Sequence, residues 1–234
     1  MNDNPVLKFA SDRSILIKIG NDISVETHSK VVSVFKLISN SGIVGIQSIH
    51  PAYNSILVSF NPILKSPDTI FNELNSLLSS PIDFTHVQYR TIEIPVCYRD
   101  EYAPDLADVA RYNNLTADEV IYHHTKQNYI VYFLGFSPGF PYLGVMPKEI
   151  ATPRLQTPRL KLPEGSVAIG GDQTGIYPVA SPGGWRIIGR TPLKLFSPEK
   201  YPPALLQMGD RIKFVEITKE QFTKESSHAG NKSN

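Results

Sequence analysis

Residues 134–144 read LGFSPGFPYLG, Leu134 through Gly144, and two different folds follow from two readings of them. Gly135-Phe136-Ser137-Pro138-Gly139 fits G-x-S-x-G, the nucleophile elbow of serine hydrolases. An elbow needs a strand-to-helix turn, and the backbone N–H of the residue after the serine supplies half of the oxyanion hole. That residue is Pro138, which has no N–H, and Pro141 follows three positions later, so no helix opens here. The stretch is therefore read as a loop carrying exposed or half-exposed aromatics, with Ser137 a turn residue, and a parallel α/β-hydrolase sheet drops out.

On the C-terminal side of this loop the texture is all-β. Short strands are expected at Ser166–Ile169, Gly175–Val179, Trp185–Ile188, Leu193–Phe196 and Asp210–Ile217, with Tyr129–Leu134 just before it. Turn-forming Pro and Gly separate them, which marks a barrel or a sandwich. Two short helices precede these strands, Asp105–Tyr112 and Thr116–Lys126, the second opened by a capping box from Thr116 to Glu119.

The first ninety residues alternate differently. Ser14–Ile19 reads as a buried strand, and Val25–Ser39 carries Val31, Val34, Phe35 and Ile38 at the spacing of a helix face. Ile43–His50 and Ser55–Phe60 suit a hairpin through Pro51–Asn54. Ser66 is an N-cap with Pro67 at the first helical position, and Ile70, Phe71, Leu74, Leu77 and Leu78 supply the buried face. A strand over Val87–Ile94 completes β-α-β-β-α-β, the order of a ferredoxin-like, split βαβ unit. The expected organisation is α+β: a ferredoxin-like α/β domain over residues 1–90, a β-barrel domain over 91–219, and a polar, disordered tail over 220–234.

Composition narrows function. The 234 residues are 41% hydrophobic and 19% charged, with a formal net charge of +1, which leaves no basic footprint for nucleic acid. The single cysteine, Cys97, allows no internal disulfide and no multi-thiolate metal site. The first twenty residues have neither a signal peptide nor a membrane span, so a cytoplasmic protein is expected. No His/Asp/Glu cluster has metal spacing, and no metal is assigned. His123 and His124 are adjacent and point about a hundred degrees apart on a helix. His124 lies on the face of Val120 and is a candidate groove residue if it turns inward to the barrel; the alternative is a histidine at the surface or the core edge.

Two glycine-rich stretches imitate phosphate loops. Gly170–Gly175 lacks the Lys-Ser/Thr that should follow, and Gly184–Thr191 has a strand-like middle and runs into Pro192. A standard P-loop is therefore absent. Gln173, Thr174, Ser181, Arg186 and Arg190 are interleaved with Tyr177, Trp185 and glycine turns, the composition of a concave ligand site. Tight turns with Tyr177 and Trp185 as core aromatics explain the same residues structurally.

LGFSPGFPYLG, ATPRLQTPRLKLPEGSVAIGGDQTGIYPVASPGGWRIIGRTPLKLF and PPALLQMGDRIKF, joined by SDRSILIKIG, HPAYNSILVSFNP, IPVCY and NNLTADEVIYHH, resemble the family of the 5-oxoprolinase B subunit. This family is also called allophanate hydrolase subunit 1 and includes a sporulation histidine-kinase inhibitor. The resemblance implies a cyclophilin-like barrel as the C-terminal domain. It also implies ATP-dependent opening of 5-oxo-L-proline to L-glutamate with two partners: a second, C-type subunit of related architecture and a separate, A-type hydrolase subunit. The ATP site is not identifiable in this chain. Other readings are a non-enzymatic inhibitor of a sensor histidine kinase, a subunit of an allophanate- or urea-processing amidase or carboxyltransferase-like unit, and, by fold analogy, a peptidyl-prolyl isomerase.

Under this resemblance LGFSPGFPYLG follows a barrel strand and sets Phe136, Phe140 and Tyr142 at the mouth of a groove. Gln173, Thr174 and Ser181 are then expected to hydrogen-bond an amide or lactam, and Arg186 or Arg190 to pair with a carboxylate.

Overall fold

The computed structural model describes residues 5–80, 89–144 and 146–231. The chain divides into two compact units, Met1–Gln88 and Tyr89–Asn234.

The first unit is a four-stranded antiparallel sheet with two helices. Its elements are β1 (Val6–Ser11), β2 (Ser14–Lys18), α1 (Val25–Ser39), β3 (Ile46–Pro51), β4 (Ser55–Phe60) and α2 (Pro67–Ser79), and the sheet order is β1-β2-β4-β3. Alternation builds the core: Ile15 and Ile17 of β2 and Ile56, Val58 and Phe60 of β4 are buried on one face with Val31, Val34 and Ile38 of α1 and Ile70 and Leu74 of α2. Ser24 and Ser66 cap the two helices through the backbone N–H groups of Thr27 and Thr69.

The ferredoxin-like order needs correcting at one strand. The edge place beside β2 is filled by β1, from the start of the chain, and not by a strand after α2. The segment expected to fill it forms β5 (Thr91–Val96), which pairs in parallel with a strand of the second unit, while Val87 and Gln88 lie outside the described residues. β1 leaves little trace in sequence because an edge strand with nearly every residue exposed has no buried period to read.

After β5 the second unit continues with α3 (Leu106–Tyr112), α4 (Ala117–Lys126), β6 (Asn128–Leu134), β7 (Pro141–Gly144), β8 (Arg159–Leu162), β9 (Ser166–Gly170), β10 (Gln173–Ile176), β11 (Ser181–Gly183), β12 (Arg186–Arg190), β13 (Arg211–Glu216) and α5 (Lys219–Asn231). The capping box of α4 forms as expected. Seven strands make one sheet, β12-β9-β10-β7-β6-β13-β5. Its two ends meet where Cys97, just after β5, exchanges two backbone hydrogen bonds of 2.9 Å with Arg190 of β12. That closure makes the sheet a barrel.

Alternation along each strand sorts side chains between the inside and the outside of this barrel. Val167 and Ile169 of β9 and Ile188 of β12 join the interior cluster to which all seven strands contribute. Ala168 and Ile187, one residue out of phase, belong to a separate outer cluster with Phe140, Leu162, Tyr177 and Trp185.

Two further expectations are corrected. Leu193–Phe196 is not a strand: Leu195 is buried, but pairing is limited to one bridge between Phe196 and Ala204. The polar tail is not disordered through residue 231, because α5 folds there, capped by Thr218 and Gln221. Phe222 supplies the anchor, buried against Cys97, Ile217 and Tyr102. An ion pair from Lys219 to Glu101 at 2.8 Å adds to this contact. Among the described residues no helix is long and apolar enough to cross a membrane.

Candidate functional site

LGFSPGFPYLG is the β6–β7 hairpin. The chain leaves Leu134, turns, and re-enters the sheet at Pro141, with Gly135 N–H bonded to Phe140 O at 3.0 Å and Phe140 N–H to Ser137 O at 3.0 Å. Ser137-Pro138-Gly139-Phe140 is a β-turn with proline second and Gly139 third at φ +80°, the arrangement of a type II turn. No helix follows Ser137, and its hydroxyl is buried without a hydrogen-bond partner. Phe136 holds φ at +64°, a left-handed conformation uncommon for a bulky residue, and the residue is 65% exposed.

Beside this hairpin, on the outer face of the barrel, lies a pocket of about 330 Å³ lined by Phe136, Phe140, Tyr142, Tyr177 and Trp185, with Arg154, Leu155, Pro158 and the turn Pro182–Gly184 as walls. The floor is an edge-to-face stack, with Phe140 5.2 Å from Tyr177 and 5.6 Å from Trp185 between ring centroids. Glycines let these rings lie against the sheet: a Cβ on Gly175 would come within 2.8 Å of the Phe140 ring and one on Gly170 within 2.5 Å of Trp185. Burial pushes the Tyr177 phenol above its ordinary range, opposed by a hydrogen bond from the Trp185 backbone and by the charge of Arg154.

Of the residues expected at the site, the structure brings Phe136, Phe140, Tyr142, Tyr177 and Trp185 together here. The polar ones lie elsewhere. Arg186 donates through Nε to Pro153 O at 2.9 Å, and Arg190 donates through Nε to Glu164 O at 2.8 Å while its guanidinium faces Phe222. Ser181 pairs with Leu162 at the β8–β11 ladder, and Gln173 sits at the start of β10 beside the β9–β10 turn. The carboxylate and amide roles expected of these residues are therefore not served from the pocket lining.

His124 and Thr174 face the barrel interior. Thr174 Oγ1 donates to Ala168 O at 3.0 Å, so its lone pair receives His124 Nε2–H at 3.0 Å, and His124 Nδ1 in turn accepts from Tyr98 Oη at 2.8 Å. The imidazole stacks on Phe214 and is fully buried, which holds its pKa down at about 3. It is a neutral, fully bonded part of the core. Burial pushes the Tyr98 phenol well above its ordinary range too.

Sequence reasoning missed Arg154, Leu155 and Pro158. The available signal was the doubled Thr-Pro-Arg of residues 152–159, TPRLQTPR, in which two arginines each follow a turn-forming proline. Asp105 was missed as well: its buried carboxylate takes both arms of Arg159 at 2.7 Å and the Ile187 backbone N–H at 2.7 Å. Among the described residues no group of three or more His, Cys, Asp or Glu could hold a metal ion. Neither glycine-rich stretch opens a helix: Gly170–Gln173 is the β9–β10 hairpin turn and Arg186–Arg190 is a barrel strand, so neither has the loop-to-helix geometry of a standard P-loop.

Residues 5–206 match the family described as carboxyltransferase domain, subdomain C and D. The chain is 40% identical over 221 residues to the B subunit of 5-oxoprolinase from Bacillus subtilis, covering 90% of this chain and 92% of that protein. The chain belongs to this family. It is also 45% identical over 168 residues to the 5-oxoprolinase B subunit of Escherichia coli O157:H7, covering 70% of this chain and 75% of that one. Among solved structures TTHA0988 superposes with a TM-score of 0.77 at 33% identity over 88% of this chain. This chain spans 40% of TTHA0988, so the same fold there forms part of a longer polypeptide.

Proposed function

We propose that this chain is the B subunit of an ATP-dependent 5-oxoprolinase, opening 5-oxo-L-proline to L-glutamate with two partners, a related C-type subunit plus a separate A-type hydrolase subunit. The observation that carries this reading is the match to the 5-oxoprolinase B subunit of Bacillus subtilis over nine-tenths of both chains.

The site is consistent with a subunit that binds more than it reacts. A lactam is a resonance-stabilised amide, and its hydrolysis requires a nucleophile, an activated carbonyl and a proton donor to the departing nitrogen. The pocket contributes flat apolar walls, a buried phenol and one guanidinium. Such walls orient a ring and exclude water, which is a positioning role. ATP supplies the driving force in the complex, at a site outside the glycine-rich stretches of this chain.

Purified chain should release no glutamate from 5-oxoproline and ATP, and should do so once both partner subunits are added. Sustained turnover by the chain alone would overturn the reading. So would block of a sensor histidine kinase's autophosphorylation by a chain that never supports turnover, which would favour the inhibitor.

A further inference from the structure

The doubled Pro-Arg of residues 153–159 sends its two guanidinium groups to different tasks. Arg159 is committed to the buried Asp105, with both arms bonded at 2.7 Å. Arg154 has its guanidinium 5.6 Å from the centre of the Trp185 ring, and no carboxylate among the described residues pairs with it. Its backbone is nonetheless pinned on both sides. Thr152 exchanges hydrogen bonds of 3.0 and 2.8 Å with Gly171, and Leu155 N–H donates to Gly184 O at 2.7 Å. A charged fork is thus held at the wall of an aromatic pocket whose lining contains no acidic residue.

A guanidinium stacked on an indole keeps its N–H edge free, and that edge matches a carboxylate in two-point geometry. The same positive charge disfavours an ammonium ligand, which an aromatic pocket alone would attract. A volume of about 330 Å³ lies at the small end of ligand pockets. The occupant that fits is a small, nearly flat ring bearing one carboxylate.

We propose that Arg154 is the carboxylate-recognising residue of this pocket and that the aromatic rings hold the five-membered ring of 5-oxo-L-proline. This identification of the ligand rests on the 5-oxoprolinase reading. It moves the role expected of Arg186 or Arg190 to a residue whose donors are not spent on backbone carbonyls.

Trp185 is the one tryptophan of the chain and lines the pocket, so intrinsic fluorescence reports occupancy directly. Full-length chain is titrated with 5-oxo-L-proline and with 2-pyrrolidinone, the same lactam without the carboxylate, and calorimetry checks each Kd. Saturable binding of 5-oxo-L-proline is expected, with 2-pyrrolidinone at least roughly tenfold weaker. Arg154→Gln is expected to weaken 5-oxo-L-proline by about tenfold or more, Arg154→Lys by less, and Arg186→Lys not at all, with melting temperatures unchanged for both Arg154 variants. Equal affinity for the two lactams, an unchanged Kd in Arg154→Gln, or no saturable binding by either readout overturns the proposal. Glutamate release by the reconstituted complex is scored separately. Carboxylate-dependent binding without any turnover would sink the 5-oxoprolinase reading and leave Arg154 in its role, whereas turnover with unaltered KM in Arg154→Gln would do the reverse.

Discussion

The strands β9 and β10 have one face in the barrel and one outside it, and the two faces treat polar groups in opposite ways. Inside, Tyr98, His124, Thr174 and the Ala168 carbonyl form one chain in which each donor has an acceptor. Outside, Trp185 and Tyr177 cover the sheet and Arg154 stands over the Trp185 ring without a carboxylate. A polar group whose capacity is used up stabilises the fold and has nothing left for a ligand; one that is held in place but unpaired is available for recognition. His124 is the residue whose type most suggests chemistry, and it belongs to the first class.

The largest effects should therefore come from the inner face. His124→Ala removes a buried ring and leaves the buried Tyr98 hydroxyl without its acceptor, so a loss of roughly 3–5 kcal/mol is expected in denaturant melts followed by Trp185 fluorescence. The pH dependence has a definite sign. The folded pKa of about 3 lies below the unfolded value of 6.5, so the unfolded chain takes up the proton first. Stability from the neutral imidazole is present in full above pH 6.5 and falls by about 1.4 kcal/mol per unit as pH drops toward 3. Between pH 6 and 4, wild type should lose stability more steeply than His124→Gln by about that slope. Parallel profiles would mean that His124 takes up a proton without leaving the core, and the contrast between the faces would collapse.

The two arginines of TPRLQTPR give the next test. Removing Arg159 leaves the nearly buried Asp105 with only the Ile187 N–H, a loss expected at roughly 2–3 kcal/mol because the guanidinium is partly exposed. Arg154→Ala should change stability by less than about 0.5 kcal/mol. Paired chemical melts of the two variants measure the difference. Similar losses would show that Arg154 is a structural residue, and the pocket would then lack its recognising charge.

How much of this was legible in sequence depended on which force set each feature. Helices with caps and a buried stripe could be read at the residue level: Ser66 and Thr116 both accept from the first-turn N–H their sequences predict. Strands buried on both faces, such as β9, announced themselves as apolar runs. Three short strands did not. β7 lies inside a proline-rich hairpin, and β8 and β11 form a two-stranded ladder with exposed positions and proline. At the site, the aromatics could be singled out because their size requires a packed surface somewhere. The polar partners could not, because bonding depends on which side of a strand each residue faces and on contacts such as Arg159 to Asp105, 54 positions apart. Thr174 and Gln173 are neighbours, yet only Thr174 points into the barrel core.

The smallest expected effect is at the serine that first suggested an enzyme. Ser137 uses its backbone N–H on Gly135 O at 2.7 Å and its carbonyl on Phe140, and both bonds survive substitution by alanine. Its hydroxyl is buried and unpartnered, so removing it takes away a desolvated polar group and leaves no acceptor behind. Ser137→Ala should therefore keep the fold or stabilise it by up to about 1 kcal/mol. Because Pro138 supplies no N–H to an oxyanion, the variant should hold kcat/KM of the reconstituted complex within about threefold. A fluorophosphonate should not label the wild-type residue. Labelling at Ser137, or a thousandfold loss of activity in a folded Ser137→Ala chain, would mean that the hairpin rearranges into a nucleophile site when the partners bind. The outer face would then carry chemistry as well as recognition.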